Sequence, residues 1–444
     1  MIVWIPAFCT LFPGTFGYDA PIQLMQWLGD LKLNDQHPIT HTVMIGLLYD
    51  FGTKILGGSP NTGIAIYTVV QGLIVSASIA YGLLVLRRFG ASAIEIILSF
   101  IWISFNPFIQ SLTFSITKDI LFGAFLSVFL FILWQCLWNG KWDKKTAVAF
   151  IVFGILTCLF RHQGVYFFAA LLLFLIVAPK SSQRKKKSMT IAVVIVIATF
   201  EVFGFVCHTI LGIKPGDTRE MLSVPIQQMA YVCKQKIEGQ PINVTDEQLS
   251  QVESFIPESG ILAYQPDTAD PVKTTFDTDA FTSNLLENSV LYLKLGLKNP
   301  FEYSYVFRNM TEGYIDSDEM EHMGFMLMNT FDSFYNIDIH RSPILFEQYY
   351  DFLVKDTLDS GYQRVPLMGI LYKPSMCIWL LFLILGIIVY RRDYDLWLVT
   401  IPILLQFISL LLGPVALLRY LYPIMLLVPF MFVSCINNRR AQRD

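Results

Sequence analysis

Long apolar runs separated by short basic clusters dominate the chain. At 1.5 Å per residue, a helix needs about 20 mostly apolar residues to cross a hydrocarbon core of ~30 Å. Runs of that kind predict full spans at 62–86, 91–108, 119–138, 146–160, 164–179, 189–211, 375–390, 396–412 and 416–435, and a partial one at 1–12. The pattern therefore predicts an all-α polytopic membrane protein of about ten spans, the first incomplete. MIVWIPAFCTLF reaches only about 18 Å, and no basic n-region marks it as a signal peptide. The chain is expected to begin downstream of its natural start.

Two weaker segments test the count. Residues 41–57 are semi-apolar but contain Asp50 and Lys54. Reading them as a span would send Arg87 and Arg88 to the wrong side, so an amphipathic helix on the outer surface is expected, and 18–28 reads as another. With that choice, Arg87/Arg88, Lys141/Lys144/Lys145, the 184–187 cluster, Arg391/Arg392 and Arg439/Arg440/Arg443 all fall on one side, the cytoplasmic one by the positive-inside bias. Loops 13–61, 109–118, 161–163, 212–374 and 413–415 then lie outside.

Composition changes the picture at one place. Net charge is -3, but residues 212–374 carry 24 acidic and 12 basic side chains, so the remainder is basic. That segment, with helical stretches at 222–237, 283–297 and 344–357, is long enough for a core of its own. The expected organisation is a membrane module at 1–211 with catalytic outer loops 13–61 and 109–118, an extracytoplasmic domain at 212–374, and C-terminal membrane helices with a cytoplasmic tail at 375–444. Of the seven cysteines only Cys233 falls in the outer domain, which excludes a disulfide framework there. The weak charge balance points away from a nucleic-acid partner.

The candidate chemistry clusters on the outer side. Asp19, in FPGTFGYDAPIQ, has two readings: a general base at the membrane surface, or the N-cap of a helix with Pro21 in its first turn. Asp119, in SLTFSITKDILF, begins a span and also has two readings: a second carboxylate facing the same site, or a complement to the helix dipole with Thr117 as cap. Arg161, in LTCLFRHQG, stands against the positive-inside bias, and Arg419, in GPVALLRYLYP, lies within an apolar stretch. Such charges mark function by default, and guanidinium suits bidentate phosphate binding; the other reading is an arginine that snorkels to the interface or pairs structurally with a carboxylate. His162 adjoins Arg161 as a further donor-phosphate candidate. Six histidines (37, 41, 162, 208, 322 and 340) fall on or near the outer side. His37 and His41 have metal-pair spacing, but Pro38 should start the helix and leave His37 outside it. Phosphate or sugar donation suits them better, and a simple interface role better still. Lys118 and Gln23 complete the candidate set. There is no Gly-rich phosphate loop, Ser nucleophile elbow or HExxH, and no cytoplasmic domain to hold a nucleotide sugar.

In order and side, YDAPIQ, HPITH, SITKD, LSVPIQQMA and GPVALLRYLYP make the chain resemble the GT-C superfamily of membrane glycosyltransferases, in an uncharacterised bacterial branch. The resemblance implies a polyprenyl-phosphate-linked sugar as donor and an extracytoplasmic glycan, lipid or protein as acceptor. It implies that Asp19 is the catalytic aspartate and Asp119 the second-loop acidic position, which in some members binds Mg or Mn. Arg161 and Arg419 would contact the donor phosphate. A transporter or lipid flippase, and a non-catalytic membrane binding protein, remain the alternative readings.

Overall fold

The structure, a computed structural model, describes residues 1–17, 19–140, 142–177, 183–316, 337–353, 364–392 and 394–441. Tyr18, Lys141, His322, Arg443 and positions 178–179 and 354–357 of the expected helices lie outside those residues. The chain divides into two compact units. One holds Met1–Pro215, Phe325–Gln406 and Leu418–Asp444, the other Gly216–Gly324 and Phe407–Leu417.

The first unit opens with α1 (Ile5–Leu11), α2 (Ala20–Leu28), a two-residue strand β1 (Asn34–Asp35) and α3 (Ile39–Asp50), which runs into a π-turn at Phe51–Ile55. Then come α4 (Pro60–Arg88), α5 (Ala93–Ser104), α6 (Pro107–Thr113), α7 (Lys118–Asn139), α8 (Lys144–Phe160), α9 (Gly164–Val177), α10 (Gln183–Phe205) and β2 (Lys214–Pro215). Local rules set many of these ends. Pro60 starts α4, and Arg87/Arg88 close it at the negative end of its dipole. Asp143 caps α8 through the Thr146 N–H. α7 ends at Gly140 in the left-handed conformation. The 41–57 segment is largely helical as expected, but α3 packs against α2 and α4 and buries His41 completely.

The expected single span at 91–108 is instead a bent pair, α5 and α6, meeting at 58°. Asn106 accepts hydrogen bonds from the Phe108 and Ile109 N–H groups, and Pro107 contributes no N–H to continue α5. Together they cap a new helix where hydropathy alone reads a continuous one.

The second unit is built from short helices: α11 (Ser223–Ile237), α12 (Asp246–Glu253), α13 (Glu258–Leu262), α14 (Asp270–Thr275), α15 (Thr278–Ser283), α16 (Leu285–Lys298) and α17 (Pro300–Ile315). Its core gathers Met229, Val232 and Cys233 of α11 with Phe255, Phe276, Phe281, Leu295 and Met310. The Phe407–Leu417 stretch belongs to this unit through its backbone. Ala269 N–H donates to Pro414 O (2.8 Å), and Leu417 N–H donates to the Tyr314 hydroxyl (3.2 Å).

The first unit is completed by α18 (Glu347–Leu353), α19 (Pro366–Leu371), α20 (Pro374–Arg391), α21 (Tyr394–Leu411, whose last turn joins the second unit) and α22 (Tyr422–Ala441). Among the described residues, five helices are long and apolar enough to cross a membrane: Pro60–Arg88, Lys118–Trp138, Lys186–Ile210, Pro374–Arg391 and Leu418–Asn437. Counting the bent pair makes six; Gly164–Val177 and Leu396–Leu411 are apolar but shorter. α7 lies at the centre, packed by α4, α8 and α22 and almost wholly buried.

Ahead of α7, residues 15–16 and 114–116 run side by side. Thr15 N–H donates to Phe114 O (2.8 Å) and Ile116 N–H to Thr15 O (3.0 Å). This pairing brings the turn that carries Asp19 alongside the start of α7. Gly14 permits it: its φ is +123°, and an added Cβ would stand 2.4 Å from Thr68 and 2.7 Å from Phe114 O. Gly14→Ala should therefore destabilise the helical unit by about 2 kcal/mol or more, through backbone strain plus overlap. Thermal unfolding in detergent, set against Gly29→Ala, where no atom approaches, will measure the overlap part.

Candidate active site

Five charged side chains meet where helices end. Lys118 and Asp119 open α7, Arg161 follows α8, Arg419 precedes α22, and Asp19 precedes α2. Asp119 is fully buried and pairs through Oδ1 with Arg161 Nη1. Its Oδ2 makes no hydrogen bond among the described residues and faces Arg419 Nε at 3.9 Å. Asp19 receives Lys118 Nζ at 3.2 Å and Arg419 Nη1 at 3.3 Å, both on Oδ2. Arg419 thus stands between the two carboxylates.

Asp19 occupies the N-cap position of α2 but makes no capping hydrogen bond. Its carboxylate turns to the cations, so the capping reading loses its physical content. Thr117 likewise does not cap α7. Burial by itself raises the Asp19 carboxyl, but the charges of Lys118, Arg419 and their neighbours outweigh it and hold the group well below the usual carboxylate range. The Asp19 side chain is 23% exposed and that of Asp119 0%, so only Asp19 presents an open carboxylate edge.

His37 lies outside α3, as Pro38 dictates. Lys118 donates to its Nδ1 at 3.1 Å, which fixes a neutral ring with the proton on Nε2. Burial lowers its pKa to about 4 despite the Asp19 charge 3.5 Å away. With His37 neutral, three cations against two carboxylates leave a net charge of +1.

His41 belongs to a different set. Its Nε2 lies 2.7 Å from the Tyr67 hydroxyl and its Nδ1 2.9 Å from the Gln23 amide. Tyr67 donates to Gln71, whose Nε2 donates to the Thr113 and Ser115 carbonyls. This chain ties α2, α3 and α4 to the strand that leads into Lys118. Gln23 and His41 are therefore positioning groups, not ligands of the charged cluster. Burial pushes His41 down to about 3.

His162, adjoining Arg161 in sequence, turns away from Asp119. Its Nε2 lies 3.2 Å from Asp35 Oδ1, and His208 Nε2 lies 2.9 Å from Asp35 Oδ2. Burial favours a neutral Asp35, but the two rings beside it, His208 through a hydrogen bond and His162 through close approach, prevail and its pKa is lowered. Asp35 thus pins the segment that carries His37 to the α8–α9 turn and the end of α10.

Two functional neighbours escaped the sequence reading: Asp35, and Tyr420. The Tyr420 ring lies 5.1 Å from the Arg161 guanidinium and 5.0 Å from that of Arg419, and its hydroxyl accepts from Arg419 Nη2 at 3.3 Å. Adjacency to Arg419 was the only signal for it. A divalent metal fits poorly. Mg or Mn seeks several oxygen ligands, whereas Asp119 faces guanidinium groups, and among the described residues no group of three His, Cys, Asp or Glu is placed to hold a metal ion.

Fold and site together define a helical membrane protein with a cluster of paired charges, net positive, at its helix ends. The chain belongs to DUF6020, a family of unknown function whose model matches residues 29–444. No curated protein and no solved structure matches it. The family match takes in Lys118, Asp119, Arg161 and Arg419 and begins after Asp19.

Removing one member of a buried ion pair strands the other. Arg161→Ala should therefore cost about 3–5 kcal/mol in unfolding free energy, whereas Arg161→Met combined with Asp119→Leu should recover most of it. Denaturant titration of the purified variants measures both. The histidines set a pH dependence of stability. Unfolded histidine takes a proton near pH 6.5, whereas folded His37 and His41 resist it down to about 4 and 3. Stability should fall as pH drops below 6.5, with a slope near ~1.4 kcal/mol per pH unit for each site in its window. His37→Gln and His41→Gln should each flatten the melting temperature between pH 6.5 and 4.5.

Proposed function

We propose that this chain is a membrane glycosyltransferase of GT-C type, moving a sugar from a polyprenyl-phosphate donor to an extracytoplasmic glycan, lipid or protein. The observation that carries the reading is the convergence of Lys118, Arg161 and Arg419 on Asp19 and Asp119. Three cations at helix ends suit an anionic group brought in by a lipid, and the half-open carboxylate of Asp19 suits an incoming hydroxyl. On this reading the bent pair and the shorter helices α1, α8, α9 and α21 bring the five long ones to about ten spans. A location at helix ends also suits a surface reaction better than transport, for which ionisable groups at mid-span are expected.

In the proposed step, the acceptor hydroxyl gives its proton to Asp19 as its oxygen bonds to the anomeric carbon. The bond from that carbon to the phosphate oxygen breaks, its electron pair stays on the lipid phosphate, and configuration inverts. Lys118, Arg161 and Arg419 stabilise the leaving phosphate. Asp119, without an open edge, orients the two arginines, and the Tyr420 ring holds both guanidinium groups beside it.

The low pKa of Asp19 makes it a weak base in the empty site. A bound phosphate neutralises the same cations and raises that pKa. The acid limb of kcat/KM should accordingly lie below about pH 4, and that of kcat should lie higher. Membranes supplied with labelled polyprenyl-phosphate sugars test the reading directly. Asp19→Asn should reduce transfer at least ~100-fold, the low end of what general bases contribute, while still inserting and folding, with a lower melting temperature because Lys118 and Arg419 lose their shared carboxylate. Equal transfer by both proteins would remove Asp19 as base.

A further inference from the structure

In the second unit, α16 is apolar on two opposite faces. Leu291 and Leu295 point into the core, 3% and 0% exposed. Across the helix, Leu286, Val290, Leu293 and Leu297 recur at spacings of four, three and four residues, at 81%, 38%, 58% and 83% exposure. Phe301, at the start of α17, extends the row at 85% exposure. A helix covered on one side and wet on the other normally carries polar residues on the wet side, and contiguous exposed apolar rows mark interaction surfaces.

The unit's own backbone adjoins a helix able to cross a membrane. It incorporates the Phe407–Leu417 stretch, which joins α21 to α22. That stretch is held by the Ala269–Pro414 hydrogen bond, a Thr268–Val415 bridge and the Tyr314 hydroxyl. The Leu418–Asn437 helix, long and apolar enough to cross a membrane, follows immediately. The unit is therefore joined along the backbone to a helix able to cross a membrane, and a bilayer crossed by that helix is an apolar phase available to every copy. Lys294 and Lys298, exposed and one turn apart beside the row, have stems long enough to bring their ammonium groups to headgroup phosphates. Glu287 and Glu302 offset their charge, so apolar burial rather than attraction to anionic lipid drives the contact.

We propose that α16 is an interfacial membrane helix, seating Leu286, Val290, Leu293, Leu297 and Phe301 in the headgroup–acyl boundary. It anchors the unit to the bilayer beyond the spans, and it stands whether or not the chain transfers sugar.

The full chain in lipid nanodiscs, carrying a nitroxide at Leu293→Cys or Leu297→Cys, tests this. All seven native cysteines are buried, so the label goes to the introduced site. Power saturation should show both positions favouring dissolved oxygen over a water-soluble nickel chelate. Glu247→Cys, exposed on α12 of the same unit, should favour the chelate. Chelate access at 293 and 297 equal to that at 247 would overturn the proposal. So would spin–spin broadening between labelled copies, which would assign the row to a dimer contact, or shielding from both reagents, which would assign it to protein packing.

Discussion

A carboxylate with no access to water constrains the helical unit. Asp119 opens α7, which α4, α8 and α22 enclose, so its first turn cannot reach solvent. A buried charge is tolerated only when opposite charge and hydrogen bonds come to it. Arg161 comes from the α8–α9 turn and Arg419 from the approach to α22. Three helix ends are thereby drawn to one point, and the Tyr420 ring fills the space beside both guanidinium groups.

The same cations treat two carboxylates differently because their surroundings differ. Asp119 is sealed and serves the arginines, whereas Asp19 keeps an exposed edge while Lys118 and Arg419 hold its other oxygen. Arg419 links the two, so a change at either carboxylate is felt at the other. Asp19 forgoes a helix-capping bond to join this cluster. A local gain of ~1 kcal/mol is set aside for a position that only the tertiary structure rewards.

Around this cluster, neutral polar groups hold the loops in register. The chain from Gln23 through His41, Tyr67 and Gln71 to the Thr113 and Ser115 carbonyls fixes the strand leading to Lys118. Asp35, with His162 and His208, fixes the segment leading to His37. Each network places its buried polar atoms where they position a loop.

The amino-acid sequence by itself determined the helical class and most helix boundaries, because apolar runs, prolines and caps act locally. It also exposed Asp19, Asp119, Arg161 and Arg419 as candidates, since a charge flanked by apolar residues has to be explained energetically. It separated His37 from His41, because Pro38 cannot continue a helix. It did not reveal the break at Asn106, where a polar cap interrupts an otherwise unbroken hydropathy signal. Nor did it reveal the partners: Arg419 meets Asp19 across 400 positions, His162 meets Asp35 and not Asp119, and Tyr420 lies between two arginines. Periodicity reports which residues are buried, but not which buried residues meet. That was decided by the packing of helices whose ends are far apart along the chain.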